Sequence, residues 1–263
     1  KITLNDDVQI STNGGDIVFW SNSGNVESGS GDHSIRLNSG STLTSLGGQI
    51  VLAGGTDSNS DGYPDGFAYI GNSIVPPGEV FGDSQGTAPF QPGLSLGSVR
   101  NQTGSRITIQ SEGGDITMRG RSSVASPQAD GFGSQRAVVI DSGLGRIELA
   151  GDQTSISGGV GLRFGGFSFF PDVAISSASS FSPAVEVIGT ASNRPGIWLG
   201  QGTTNPGFAG TFLIQSSANT GGGINFEGSN SSSSSGHSGI ALWGQSSTHS
   251  GEQEYQFLSN NGP

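Results

Sequence analysis

The sequence predicts an all-β chain, a right-handed parallel β-helix (β-solenoid) with a long loop insertion. Three observations carry this expectation. The first is a repeated Gly-turn-Ile unit: Gly14-Gly15-Asp16-Ile17, Gly47-Gly48-Gln49-Ile50, Gly113-Gly114-Asp115-Ile116, Gly145-Arg146-Ile147 and Gly222-Gly223-Ile224. In the first four copies an apolar residue lies seven positions upstream of the isoleucine (Ile10, Leu43, Ile109, Ile140). Another follows two positions downstream (Phe19, Leu52, Met118, Leu149, with Phe226 in the fifth copy). Strand, tight turn and second strand thus recur with one buried face, and repetition on this scale points to a stack of rungs. The second observation is composition: 47 of 263 residues are glycine, about 18% against roughly 7% in average proteins. The third is that no window carries a 3.6-residue period over ten residues, while Ile, Val, Leu and Phe fall periodically between turns.

Residues 1–53 hold the first two copies of the unit. The repeat isoleucines at 17, 50, 116, 147 and 224 are separated by 33, 66, 31 and 77 residues, so the first three intervals read as one, two and one units. The skipped unit coincides with 54–99, where Pro64, Pro76, Pro77, Pro89 and Pro92 cluster. That stretch reads as an inserted Pro/Gly-rich loop leaving the stack at one corner, and insertions of this kind collect on a face that is often the binding face. Residues 100–150 are the most regular, with Arg106–Gln110 and Asp115–Arg119 alternating on either side of a Gly-Gly turn. Beyond 150 the period loosens into short β-like patches, and the Ser231–Ser235 run reads as a corner loop. Each rung buries too little alone, so rungs pile about 4.8 Å apart into one core. At about 25 residues per rung this predicts about eight to ten rungs and a rod roughly 40–50 Å long. The whole of 1–263 is then one solenoid domain, and its opening on an apparent strand predicts a segment of a longer chain.

Composition narrows function. Net charge is −11, the single lysine is Lys1, and the arginines are scattered, so nucleic acid and anionic membrane surfaces are poor partners. The absence of cysteine removes disulfides, thiolate zinc sites and a cysteine nucleophile. No run approaches the roughly 18 apolar residues of a membrane-spanning helix.

The sharpest local motif is Asp57-Ser58-Asn59-Ser60-Asp61-Gly62-Tyr63-Pro64-Asp65-Gly66. Oxygen side chains at loop positions 1, 3, 5 and 9 with glycine at 6 suit a hard cation. This makes Asp57, Asn59, Asp61 and Asp65, with the Tyr63 carbonyl, candidate calcium ligands, helped by Asp83, Glu79 or water. Ala68 stands where an EF-hand has its bidentate glutamate, and no helices flank the loop. Asp6, Asp7 and Asp16 read as turn chemistry, and His33, His237 and His249 as solvated loop residues. Phe164, Phe167, Phe169 and Phe170 suggest a core ladder of rings. Trp20, Trp198 and Trp243 end apolar strands, and a sugar-binding surface would use such rings. β-Helical polysaccharide lyases and hydrolases set acidic residues on consecutive rungs. Glu148 and Glu186 read as standing alone, so the expectation is a non-catalytic protein.

Two resemblances follow. The loop resembles the Asp-x-Asn-x-Asp-Gly-x-x-Asp loops of thrombospondin type 3 and dockerin-like modules, which implies bound calcium. Ser11–Asn22 and Ser111–Ile116 resemble the repeats of filamentous-haemagglutinin-like, two-partner-secretion type β-helical proteins of bacterial surfaces, fairly well over 1–150 and in style beyond. That resemblance implies an extracellular structural or adhesive role: a surface filament, fibre or adhesin segment that associates with itself or with neighbouring repeats of its parent. A carbohydrate-binding module that takes surface glycans is the alternative, and a polysaccharide-degrading β-helix a lesser one.

Overall fold

A computed structural model describes residues 1–24, 31–71, 92–97, 105–126, 129–165, 172–200, 210–231, 239–243 and 254–259. Among these, the chain is all β, and almost every strand runs parallel to its neighbours in three stacked sheets. The first sheet runs β1 (Ile2–Leu4), β5 (Ile35–Leu37), β9 (Leu94–Leu96), β12 (Phe132–Ser134), β15 (Leu162–Phe164), β18 (Ile197–Gly200) and β21 (Ile240–Trp243). The second runs β2 (Gln9–Ser11), β6 (Thr42–Thr44), β10 (Ile107–Gln110), β13 (Val138–Asp141), β16 (Val173–Ser177), β19 (Thr211–Ser216) and β22 (Glu254–Ser259). The third runs β3 (Ile17–Ser21), β7 (Ile50–Gly54), β11 (Ile116–Ser122), β14 (Ile147–Gln153), β17 (Val185–Ala191) and β20 (Ile224–Asn230). Two short strands sit beside it: β8 (Ala68–Ile70) pairs with β11, and β4 (Asp32–His33) pairs antiparallel with β8. One strand from each sheet makes a rung of the parallel β-helix.

The register corrects the expected rung size. Ile50 is the direct ladder partner of Ile116, so the 66-residue interval is one long rung and no unit is skipped. The 77-residue interval is two rungs, because Val185 pairs with both Ile147 and Ile224. Ordinary rungs therefore span more than 25 residues, and among the described residues seven strands stand in each of the first two sheets. Six steps of about 4.8 Å give a stack about 29 Å tall, shorter than expected. The 54–99 stretch is also not wholly outside the stack: Ala68–Ile70 and Leu94–Leu96 are ladder strands of it. Both are fully buried, Ala-Tyr-Ile and Leu-Ser-Leu, and their apolar side chains join the core of the stack.

Inward side chains form columns along the stack. Ile10, Leu43, Ile109, Ile140, Ile175 and Ile214 are in register in the second sheet. From Leu43 to Ile214 this column is buried. Phe164, from the expected phenylalanine ladder, is packed between Phe132 and Phe212 at ring-centre distances of 5.6 Å on both sides. Phe167, Phe169 and Phe170 lie outside the described residues. Offset and edge-on ring contacts of this kind add about 0.5–1.5 kcal/mol each beyond their buried area.

The Gly-turn-Ile corner has two glycines with different tasks. The first takes a left-handed backbone, with φ of 85° at Gly14, 112° at Gly47 and 146° at Gly113, which a side chain would strain. The second is needed for stacking: a Cβ on Gly48, Gly114 or Gly145 would stand nearer than 3.0 Å to the carbonyl oxygen of Gly15, Gly48 or Gly114 in the rung below. A further pair of columns lies where the third sheet meets the first. There Gly151, Gly189 and Gly228 abut the carbonyls of Gly161, Gly196 and Gly239 just as closely.

Hydroxyls secure the same corner. Thr12, Ser45, Ser111 and Ser142 each donate to the carbonyl of their own turn's second glycine, Gly15, Gly48, Gly114 and Gly145. Their oxygens also lie within donating reach of the next rung's carbonyl: Thr12 to Ser45 at 3.1 Å, Ser45 to Ser111 at 3.4 Å and Ser111 to Ser142 at 3.2 Å. Asp16 and Asp115 add one bond each, accepting from the backbone N–H of Gln49 and Arg146 at 2.7 Å. The aspartate after Gly-Gly is thus turn chemistry that reaches one rung up.

Rung-on-rung contact makes equivalent glycines unequal. Gly114→Ala is expected to lower stability by about 1–3 kcal/mol through forced separation of backbones. Gly15→Ala, in the first rung, meets nothing nearer than Thr12 Cβ at 3.7 Å and is expected to leave the melting temperature of the dilute protein unchanged. Thermal unfolding of the two variants checks this.

Candidate functional site

The strongest candidate is the Asp57–Asp65 loop, which rises from the end of β7. Its side chains close on their own backbone. Asp57 accepts from the N–H groups of Asp61 (3.1 Å) and Gly62 (2.9 Å), Asn59 Oδ1 from Asp61 (2.9 Å), and Asp61 Oδ1 from Tyr63 (2.9 Å). Asp65 Oδ2 accepts from the Ser58 N–H at 2.7 Å and its hydroxyl at 2.6 Å, and from the Asn59 N–H at 3.2 Å. Asn59 Nδ2 bridges Asp61 Oδ2 and Asp65 Oδ1 at 3.0 and 3.3 Å. Gly62 has φ of 93°, which permits the bend. All five residues named from the sequence are therefore in one loop, where Asn59 links Asp61 and Asp65 and Asp57 holds the backbone of Asp61 and Gly62.

The side-chain groups the loop offers are oxygens, the type that a hard cation such as calcium takes. Among the described residues no three His, Cys, Asp or Glu side chains are grouped as a metal cage, so the carboxylates of Asp57, Asp61 and Asp65 share a loop without forming a closed set of ligands. Asp83 and Glu79 lie outside the described residues.

The loop is fastened to three rungs. Gly54 and Gly66 pair as an isolated antiparallel bridge at its base, and the Trp20 indole donates to the Gly55 carbonyl at 2.7 Å. The Tyr63 hydroxyl donates to Asp16 Oδ2 in the first rung. Arg119, in the third rung, donates to the Asp65 carbonyl at 2.8 Å. Arg119 also holds Glu148 through two bonds, 2.5 and 3.0 Å. Neither Arg119 nor Tyr63's hydroxyl contact was legible in the motif, because both depend on which rungs become neighbours.

Local electrostatics follow this wiring. The Asp16 carboxylate accepting the Tyr63 hydroxyl, with some burial, pushes that phenol up to about 12. The Ser58 hydroxyl and N–H hold Asp65 below the usual carboxylate range. The bond to Glu148, aided by the charges of Glu148, Asp65 and Asp61, raises Arg119.

The same sheet face corrects one expectation. Glu148 and Glu186 do not stand alone: they are ladder partners on consecutive rungs. Each is neutralised locally, Glu148 by Arg119 and Glu186 by Arg146 at 3.8 Å with the Asn225 amide at 3.2 Å. Trp20 is partly exposed on this sheet. Trp198 is buried on the first sheet beneath the Arg163 guanidinium, 5.0 Å from its ring centre. The Trp243 side chain, His237 and His249 lie outside the described side chains, and His33 is in β4. Elsewhere, Arg163 pairs with fully buried Asp130 at 2.8 Å. Burial pushes the Asp130 carboxyl up against the pull of Arg163 and of the Val160 N–H.

Comparison with protein-family models, with curated proteins and with solved structures finds no match to this chain.

The loop's order is expected to depend on pH through Asp65. Its carboxyl is lowered by folding, so its stabilising bonds are complete above the ordinary carboxylate range and are lost as pH falls through its lowered value. Ser58→Ala removes the largest cause, and a carbon-detected NMR titration is expected to show Asp65 moving back toward ordinary carboxylate values.

Proposed function

We propose that this chain is an extracellular scaffold: a non-catalytic β-solenoid segment of a bacterial surface filament, fibre or adhesin. The observation that supports it is the investment of the sequence in stacking. Glycine clearances, corner hydroxyls and inward columns all serve to lay rung on rung, and such a stack makes an elongated element that displays loops along its side. The acidic, Ser- and Asn-rich composition agrees with a solvated outer surface, as does the resemblance of Ser11–Asn22 to haemagglutinin-type repeats. Antiserum raised against the chain is expected to label intact cells of the source organism. Labelling that appears only after lysis would sink this reading.

Calcium belongs to the same reading. Asp57, Asn59, Asp61 and Asp65 supply side-chain oxygens and Tyr63 a main-chain carbonyl, and the ion would draw together carboxylates that otherwise repel. Because the loop is tied to Asp16, Gly54 and Arg119, binding would tighten the first three rungs along with the loop. Titration calorimetry is expected to show calcium binding to the wild type that is at least tenfold weaker in Asp61→Ala, with a calcium-dependent rise in melting temperature. Absence of both heat and thermal shift in the wild type rejects the ion.

One observation favours a second reading, a carbohydrate-binding module. Glu148, Glu186 and Asn225 follow one another up the outer face of the third sheet, a row of hydrogen-bonding groups at rung spacing. A glycan array on the wild type and on Glu186→Gln separates the two readings.

A further inference from the structure

The Asp57–Asp65 loop interrupts a strand that is complete without it. β11 runs seven residues, and β14 takes one of its edges along that whole length. On the other edge β7 and β8 lie end to end. Ile50, Val51 and Leu52 oppose Ile116, Thr117 and Met118, and Ala68, Tyr69 and Ile70 oppose Gly120, Arg121 and Ser122. A single residue of β11, Arg119, separates the two sets, whereas fifteen residues, 53–67, separate them in the neighbouring rung. One of these, Ala53, continues β7, so fourteen are surplus to the ladder. With 54–67 removed, Ala53 would join Ala68 and make a strand of seven residues, the length of β11, β14, β17 and β20. The alternation survives the join: Ile50, Leu52 and Ala68 all belong to the core, and Ala53 falls between the last two as an outward residue.

The surplus closes on itself. Its ends meet in the Gly54–Gly66 bridge, where the Gly66 N–H donates to Gly54 at 2.8 Å, and the Asp65 N–H donates to the Thr56 carbonyl at 3.1 Å. Beyond this short stem, the side chains of Asp57, Asn59, Asp61 and Asp65 bond to other residues of the loop. Gly54 permits the exit from the strand, because a Cβ there would stand 2.3 Å from the Phe67 carbonyl oxygen and 2.5 Å from that of Ser21. The stack can also spare what fastens the loop to it. Without the loop, Arg119 keeps Glu148 at 2.5 and 3.0 Å, and Asp16 keeps the Gln49 N–H at 2.7 Å. Arg121 loses the Phe67 ring, 4.3 Å away, and keeps Asp152 at 2.7 Å. Trp20 is 37% exposed, so water can take its indole N–H.

We propose that residues 54–67 are a separable module set into the middle of one strand: the stack folds without them, and the loop's ligand chemistry can be removed with the rungs left whole. Ordering these residues carries an entropy cost, and the ladder gains no pairing from it. The stack is then the carrier and the module the element that meets a ligand. The fastenings to Asp16 and Arg119 pass a change in the loop to the rungs without being required by them. This deepens the scaffold reading and takes the calcium ion from it, yet the two fail separately. A wild type that binds no calcium leaves separability standing, and a shortened chain that does not fold leaves calcium binding by the wild type standing.

Deletion of 54–67, joining Ala53 to Ala68, tests the proposal in calcium-free buffer. The shortened chain is expected to keep the β signal in circular dichroism and to melt cooperatively within about 5 °C of the full chain. Its amides at 50–53 and 68–70 are expected to be protected from hydrogen exchange as in the full chain, and any calcium heat of the full chain is expected to vanish. A second variant, with 55–65 replaced by Asn-Gly, keeps the Gly54–Gly66 bridge under a tight turn and guards against a strained joint. The proposal is overturned if both variants are unfolded or melt without cooperativity, or if amides 68–70 exchange freely in a variant that folds. A folded variant that still binds calcium like the full chain would overturn the assignment of the ligand to the module.

Discussion

The spacing of a parallel β-ladder governs this molecule. Rungs must approach to about 4.8 Å for their backbones to pair, and at the corners that brings carbonyl oxygens against the next rung's Cα. A side chain there would hold the rungs apart. Gly48, Gly114 and Gly145 at the turns and the glycine pairs between the third and first sheets remove that obstacle. With the backbones at this distance, the corner hydroxyls can serve two carbonyls, one in their own turn and one in the rung above. The inward isoleucines then meet their column neighbours. Each of these contacts is available because the glycines let the rungs close.

The same constraint explains what was readable in the sequence. Alternation around Ile107–Gln110 and Ile116–Arg119 gives strands and their buried face directly. The Gly-turn-Ile copies give the stack, since the repeat is the corner itself. Rung length was misjudged because a solenoid fixes strands and corners but leaves the connecting loops free to vary. Val185 escaped the count for a related reason: its turn, Ser177 to Ala184, replaces Gly-Gly with a longer path through Pro183, yet it joins the Ile147 column. The hydroxyl column was legible and overlooked, as Thr12, Ser45, Ser111 and Ser142 each stand five residues before the repeat isoleucine. Glu148 beside Glu186 was not legible, because nothing in a sequence states which outward residues of distant rungs become neighbours.

The Asp57–Asp65 loop shows how decoration attaches to such a scaffold. Its internal geometry is local and was readable from residue types at alternate positions. Its anchorage is not local: Asp16, Trp20, Gly54 and Arg119 come from three rungs, and the stack assembles them into one rim. Tying the loop to several rungs gives any event within it, protonation of Asp65 or capture of a cation, a route to the stack. The scaffold and its interruption are therefore mechanically joined.

The central claim is that residues 50 and 116 begin neighbouring strands with no rung between them. The chain has no cysteine, so introduced pairs report register cleanly. Thr42 and Thr108 are direct partners across this interval, within the Cα separation of about 4.4–6.8 Å that a disulfide spans. Thr42 and Val139 are two rungs apart, at about 9.6 Å. Mild oxidation of the Thr42→Cys, Thr108→Cys chain is expected to give a near-complete intramolecular disulfide by mass spectrometry, while Thr42→Cys, Val139→Cys stays reduced. Free thiols in the first pair together with a bond in the second would contradict the account.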